Sequence, residues 1–189
     1  MTVSSLLTFL DQVNHLKQLP RTGWLFAGIA SVESVAEHSF AVTLLALFLA
    51  ETVNADWATQ GLQQPLALEQ VMQIALVHDL AESLLTDLPK RTADLLGRDV
   101  KHAAEAKAMA QLLAETPRSE LYQQCWVAYA TAATPEARLV RDADKLEMVH
   151  QALCYERRGQ TNLAEFWQGY PWYYPVSQIL FEHLYQSRQ

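Results

Sequence analysis

Apolar residues recur along the chain at intervals of three and four positions, and no Val/Ile/Thr-rich stretch alternates with polar residues as a half-buried strand does. The pattern predicts an all-α fold. The first helix is expected from about Ser4 to Leu19, with Leu6, Leu7, Leu10, Val13 and Leu16 as its inner stripe and Pro20 as its stop. The loop PRTGWLFAGIAS follows. Ser34 and Glu37 (S-V-A-E) form a capping box that opens a second helix reaching about Val53, with His38 in its first turns. A third helix begins after Pro65 and carries His78, Asp79 and Glu82 in its C-terminal half, ahead of the turn Thr86-Asp87-Leu88-Pro89. A more polar, Ala-rich helix spans Asp99 to Glu115, and Thr116-Pro117 and Thr134-Pro135 each read as an N-cap with the first helical residue. The helix opened by Thr134 carries Asp142 and Asp144 and stops at Gly159, which suits a left-handed cap. The aromatic turn WQGYPWYYP and a short helix from Val176 to Ser187 complete the chain.

No repeat, low-complexity tract or linker interrupts this succession. With 189 residues, 50% of them hydrophobic, the chain is expected to form one domain over residues 1–189. The net charge of -7 excludes a basic face that tracks a nucleic-acid polymer. Small anions need only a few local cations, and Arg21, Lys90 and Arg91 stand close to the candidate segments. The longest uncharged apolar stretch, Phe40 to Ala50, falls short of the ~20 residues of a bilayer span, and the N-terminus lacks a basic leader region. A cytoplasmic protein with no membrane partner is expected. Cys125 and Cys154 are too few for a disulfide framework or a thiolate zinc site.

The adjacent pair His78-Asp79, inside VMQIALVHDLAESLL, offers a divalent ion an imidazole and a carboxylate. Such a pair is weak alone. His38 in SVESVAEHSFAV and Asp144 in EARLVRDADKLEM are also flanked by apolar residues at helical spacing, so all four can point into one interior. Two nitrogen and two oxygen donors would leave positions for water and substrate on a six-coordinate ion. Taken singly, a histidine on an apolar helix is more often a hydrogen-bonded core or boundary residue. Asp142 competes with Asp144, because residues two apart face about 200° away from each other on a helix, and spacing does not choose between them. Glu82 lies four residues after His78, on the same helical face, where its carboxylate can hang beside an ion without binding it.

The order His, His-Asp, Asp resembles that of the HD-domain metal-dependent phosphohydrolases. The blocks LKQLPRTGW, ESVAEHS, HDLAESLLTDLP, TPEARLVRDADKLEM and YERRG are similar to those of the 5'-deoxynucleotidase branch, in order and over most of the chain. This resemblance implies a compact helical HD-domain bundle with His38, His78, Asp79 and Asp144 as metal ligands. It implies Glu82 and Asp87 as catalytic residues, with Arg21, Trp24 and Asp87 at the substrate; an Arg suits a phosphate and a Trp face suits a base. Trp24 otherwise reads as a core anchor. Asp142 then becomes a helix-surface acid paired with Arg138. Lys90 and Arg91 read either as phosphate contacts or as a solvated pair, and Lys145 as a charge behind the ligands or a snorkelling surface residue. His15, His150 and His183 match no motif. One departure stands out: family members often carry acidic residues, one associated with deoxyribose recognition, in the segment that here reads CWVAYATA, with Val127, Ala128 and Ala130. Losing that acceptor weakens discrimination between deoxy and ribo sugars.

The implied activity is hydrolysis of (deoxy)ribonucleoside 5'-monophosphates to nucleoside and phosphate by a divalent-metal-dependent phosphomonoesterase. Mn, Co, Mg and Zn are the metals considered, and a homodimer is expected. Three alternatives remain. One is another HD reaction, on a nucleoside triphosphate or a cyclic nucleotide. A second is a diiron oxygenase, which calls for two more histidines between the His-Asp pair and the last Asp, where only His102 lies. The third is a noncatalytic helical scaffold presenting WQGYPWYY as an interaction patch; intact ligands and Glu82 speak against it.

Overall fold

The computed structural model describes residues 1–188. Its α-helices are α1 (Val3–Asn14), α2 (Thr22–Phe26), α3 (Val35–Ala55), α4 (Leu68–Val77), α5 (Glu82–Leu85), α6 (Lys90–Leu96), α7 (Arg98–Leu113), α8 (Ser119–Thr131), α9 (Pro135–Arg157) and α10 (Pro175–Gln186). Among the described residues the sole β-type pairing is an isolated antiparallel bridge between Pro20 and Ser34.

Two helix starts stand where the sequence places them. Ser34 Oγ accepts the Glu37 N–H at 3.2 Å while Glu37 Oε2 accepts the Ser34 N–H at 2.6 Å, so two donors at the start of α3 are satisfied reciprocally. Thr134 Oγ1 accepts the Ala137 N–H at 3.1 Å, Pro135 supplies the first residue of α9, and Gly159 (φ 93°) takes the left-handed position just beyond its end.

Helix α9 packs against α3, α4, α8 and α10. Leu139, Val140, Leu146 and Val149 on it are fully buried, each side chain contributing ~1.5–3 kcal/mol of transfer free energy. Four carboxylates of the same helix, Glu136, Asp142, Asp144 and Glu147, are buried as well. A charge taken out of water must find a partner. Glu136 Oε1 accepts the Ala67 N–H at 3.1 Å, just ahead of α4, and the other three are taken up below. Helix α3 lies against α4 and α9 with Val35, His38, Val42, Ala46, Leu49 and Val53 inward, leaving Phe40, Leu44 and Phe48 exposed. It is long and apolar enough to cross a membrane, yet here one of its faces belongs to the core.

Elsewhere the structure corrects the sequence reading. α1 ends at Asn14 and a 3₁₀ turn, His15–Lys17, follows it. The expected inner stripe is largely outward: Leu6, Leu7 and Leu10 are exposed, and only Phe9, Val13 and the 3₁₀ residue Leu16 pack on the core. α1 meets the body chiefly along α5 and its own 3₁₀ turn, too narrow a contact to cover its apolar width. Thr116 is no N-cap; its hydroxyl donates to the Leu113 carbonyl at the end of α7, and α8 opens after Arg118, which sits at φ 61°. The third helix is broken. α-Helical hydrogen bonding stops at Val77, bonds from Leu80 N to Val77 O and from Glu82 N to Asp79 O replace it, and Glu82 begins α5. Lys90–Leu96, a segment the apolar pattern leaves unassigned, forms α6.

Candidate metal centre and active-site cavity

His38 comes from the first turn of α3, His78 and Asp79 from the break after α4, and Asp144 from the middle of α9. Tertiary packing brings them together. Asp79 Oδ2 lies 3.3 Å from His78 Nε2 and 3.6 Å from His38 Nε2, and Asp144 Oδ1 lies 3.3 Å from His38 Nε2. One donor atom each from His38, His78 and Asp144 falls within 4.8 Å of the others. The tighter turn after Val77 lets Asp79, next in sequence to His78, reach the same point.

The two imidazoles are oriented alike. His78 Nδ1 meets the Ala75 carbonyl at 2.7 Å and His38 Nδ1 meets Glu147 Oε2, so each ring donates through Nδ1 and turns its Nε2 edge inward. Both Nε2 atoms are buried without a hydrogen-bond partner, a costly state for two polar atoms facing two carboxylates. This donor set fits a divalent cation. His38, His78 and Asp144 are positioned to bind one, and the mixed imidazole and carboxylate chemistry suits several transition metals.

Electrostatics points the same way. Burial and Arg21 push the His38 pKa down, but Asp144 and Glu147 outweigh them and hold it at about 9. Burial would raise Asp79, yet His78, Arg21 and His38 bring it well below the usual carboxylate range; Asp144 is likewise lowered against its burial by Lys145, His38 and His78. The cluster concentrates negative charge and attracts positive charge.

A cavity of about 970 Å³ opens onto these residues, within the size range of nucleotide-scale sites. Arg21 reaches into it, its Nη1 3.3 Å from Asp79 Oδ2. Glu82 is buried on its wall with Oε2 unpartnered, and burial, Asp79 and Asp87 push its pKa well above the ordinary value. Asp87 accepts the Thr22 N–H through Oδ2, and its carbonyl accepts the Thr22 hydroxyl at 3.2 Å. The preceding residue, Thr86, has φ 76° and ψ 163°, a region that favours glycine, so backbone strain accompanies the placing of Asp87. Lys90, Arg91 and Lys145 line the cavity.

Trp24 lines the cavity and is at the same time almost wholly enclosed. It is 2% exposed, its ring centroid 4.2 Å from that of Phe166 and 5.2 Å from that of Tyr155, and its Nε1 donates to Glu33 Oε1 at 2.8 Å. Phe166 covers one face of the indole and Tyr155 meets it edge-on. Of the two readings, core anchor is the one the packing supports, because the indole closes a second cluster around Ile29, Val149 and Leu163.

Asp142 also departs from expectation. It is 2% exposed, not a surface acid paired with Arg138, and its carboxylate accepts the N–H of Tyr173 at 3.1 Å and of Tyr174 at 3.0 Å. Asp142 and Asp144 do face different ways, but α10 and the aromatic turn cover the second face.

Two contacts of the site escaped the sequence reading. Tyr129 donates its hydroxyl to Asp144 Oδ2 at 2.9 Å, and Glu147 engages His38. For Glu147 a signal existed, since it follows Asp144 by three residues and so shares its helical face. In the segment CWVAYATA, Ala130 lines the main cavity, whereas Val127 and Ala128 border a shallow depression with Glu120 and Gln123. Only the residue at 130 among these three can bear on a bound sugar. His102 stacks on Trp126 with centroids 5.1 Å apart, and the further acidic group, Glu33, His38 and Glu147, reuses His38 instead of adding histidines. His15 meets the Ser83 carbonyl, His183 that of Ile179, and His150 is exposed beside Cys154.

The chain is similar to several known proteins. The family model of the HD domain matches residues 13–170. The 5'-deoxynucleotidase hdd1 of Schizosaccharomyces pombe is 31% identical, over 98% of this chain and 91% of its own length. The 5'-deoxynucleotidase HDDC2 of Danio rerio is 37% identical over 82% of this chain and 71% of its own. Among solved structures, a conserved hypothetical protein from Pyrococcus furiosus superposes with a TM-score of 0.77 at 35% identity, covering 97% of this chain and 99% of its own. The PH0347 protein from Pyrococcus horikoshii OT3 gives 0.74 at 33% identity, covering 96% and 98%.

Proposed function

The chain belongs to the HD-domain family, and we propose that it is a divalent-metal-dependent phosphomonoesterase that hydrolyses nucleoside 5'-monophosphates to nucleoside and phosphate. The observation that carries this reading is the pair of buried, unpartnered Nε2 atoms facing Asp79 and Asp144 at the end of a cavity that also holds an arginine and a protonatable glutamate. The names of the relatives, 5'-deoxynucleotidases, support the choice of substrate.

His38, His78, Asp79 and Asp144 would hold the ion, which when bound polarises the phosphate ester and lowers the pKa of water for in-line attack. Arg21, beside Asp79, binds a phosphate oxygen and sets the ester's orientation. Glu82, whose surroundings favour the protonated form, keeps its proton at Oε2 and delivers it to the 5' oxygen as the P–O bond breaks. Asp87 acts beside it: its charge helps Glu82 retain the proton, and its bond to Thr22 N holds the segment bearing Arg21 over the cavity. With Ala130 at the cavity wall, no carboxylate from that segment accepts a sugar hydroxyl, and both ribo and deoxy substrates are taken.

The working form is a homodimer joined through apolar faces that the protomer leaves open, Phe40, Leu44 and Phe48 on α3 with Met72 and Leu76 on α4, each set at four-residue steps. A cytoplasmic setting is in keeping with the two free cysteines. Purified protein incubated with dAMP, dGMP, dTMP or AMP and Mn²⁺, Co²⁺ or Mg²⁺ releases inorganic phosphate; absence of release from every combination overturns the reading.

A further inference from the structure

The ring of His38 is gripped from both sides by one helix. Asp144 Oδ1 stands 3.3 Å from Nε2, and Glu147, three residues later on α9, takes the opposite nitrogen, Nδ1. Successive turns of a helix present such residues on one face, so the spacing of the two acids matches the width of an imidazole. Glu147 is 6% exposed and does not reach the cavity. Behind it lies a further layer. Glu33 belongs to the group whose donor atoms, with His38 and Glu147, fall within 4.8 Å of one another. Glu33 Oε1 is held by Trp24 Nε1 at 2.8 Å, and the Glu33 N–H donates to the Tyr155 hydroxyl at 2.9 Å.

His78 is supported differently. Its Nδ1 donates to a neutral carbonyl on its own helix, Ala75 O, at 2.7 Å. The two imidazoles are therefore unequal. A carboxylate on Nδ1–H makes the far nitrogen a stronger donor and fixes the tautomer, whereas a carbonyl does mainly the second.

We propose that Glu147 is a positioning residue that holds His38 with Nε2 toward the cation and sets the affinity of the centre for its metal. The proposal rests on the reading of His38, His78, Asp79 and Asp144 as ligands.

The test is a Mn²⁺ titration of the full chain, with free Mn²⁺ followed by its electron paramagnetic resonance signal, on wild type, Glu147→Gln, Glu147→Ala and Glu156→Gln. Loss of an outer partner of a ligating histidine weakens metal binding by about 10–100-fold, the result expected for Glu147→Ala. Glu147→Gln keeps an acceptor oxygen for Nδ1–H and the same shape, so it falls between Ala and wild type and remains measurable if Ala does not fold. Glu156, a partner of Arg188 and Trp167 on the same helix, leaves affinity unchanged when replaced. Saturating Mn²⁺ restores most of kcat to Glu147→Gln, because no group on the substrate has been lost. Wild-type affinity in both Glu147 variants, with or without a lower melting temperature, overturns the proposal and reduces Glu147 to a structural partner. Wild type that binds no Mn²⁺, Co²⁺ or Zn²⁺ overturns instead the reading of the centre itself.

Discussion

Replacing Asp142 by alanine separates the two acids of the stretch Asp142-Ala143-Asp144 in α9 by what each one loses. Asp142 accepts two backbone N–H groups, from Tyr173 and Tyr174, immediately before α10 begins at Pro175. Tyr174 is buried, so its N–H loses its partner where water does not reach, at ~1–3 kcal/mol; Tyr173 is 45% exposed and water replaces part of its loss, leaving ~0.5–1 kcal/mol. Against this stands relief of the buried carboxylate, whose pKa burial raises. The net loss is about 2–3 kcal/mol, which for a chain of this size lowers the melting temperature by ~4–12 °C. Asp142→Asn keeps one acceptor oxygen and loses roughly half as much. Asp144→Ala behaves in the opposite way, losing bound metal and phosphatase activity with a smaller change in the metal-free melt. Differential scanning calorimetry on chelator-treated protein, paired with metal analysis of the reloaded samples, checks both. A shift below about 1 °C for Asp142→Ala refutes the view that its carboxylate ties down the aromatic turn. Metal loss in Asp142→Ala comparable to that in Asp144→Ala shows the register of α9 to be wrong.

Other consequences are as direct. Glu82→Gln keeps its metal but loses ~10²–10⁴ in kcat, the usual contribution of a positioned acid or base, in a phosphate-release assay. Mn²⁺ at about 100 times its Kd stabilises the chain by ~2.7 kcal/mol, a rise of ~5–11 °C in melting temperature that His78→Ala abolishes. AMP and dAMP are hydrolysed with kcat/KM values within about tenfold of each other; a preference of ~10⁴ for dAMP reveals a sugar contact from another element. Phe40→Glu with Phe48→Glu converts a dimer to a monomer in light scattering, and a wild-type mass equal to one chain removes the assembly assigned here.

What was legible in the sequence follows from what local chemistry controls. The Ser34–Glu37 box, the Thr134–Pro135 start and the Gly159 stop depend on a few neighbouring residues and read correctly. His38, His78 and Asp79 stand out as polar residues in an apolar surround, whereas only the family resemblance separates Asp144 from Asp142; the helices then bring three distant segments to one point. Properties that need a partner from elsewhere in the fold were not. The stripe of α1 is amphipathic whether or not anything covers it, and in the protomer little does. Asp142 looked like a surface acid because half of a helix normally faces water, but α9 is enclosed by α3, α4, α8 and α10 and hides acids on more than one side. The break after Val77 left no mark in the apolar periodicity, since Leu80, Ala81 and Leu84 keep a helical rhythm through it. The fate of Trp24 turned on Phe166, more than a hundred positions away.

The bridge between Pro20 and Ser34 separates inheritance from adaptation. Arg21 N donates to Glu33 O at 3.0 Å and Val35 N to Leu19 O at 2.9 Å, so the segment between is stitched shut at its base before α3 begins. Once a loop's ends are pinned, doubling its length costs only about 0.6 kcal/mol of closure entropy. Arg21 sits on the stitched side, and its place over Asp79 does not depend on how far the loop beyond it extends. Of the residues beyond it, Ala27 and Ile29 are held in the second core cluster, while Leu25, Phe26, Ala30 and Ser31 face solvent and are free to change character over evolutionary time. Phe26, at the cavity wall, is the position among them through which the mouth can be reshaped for new leaving groups while the phosphate grip and the helices behind it stay untouched.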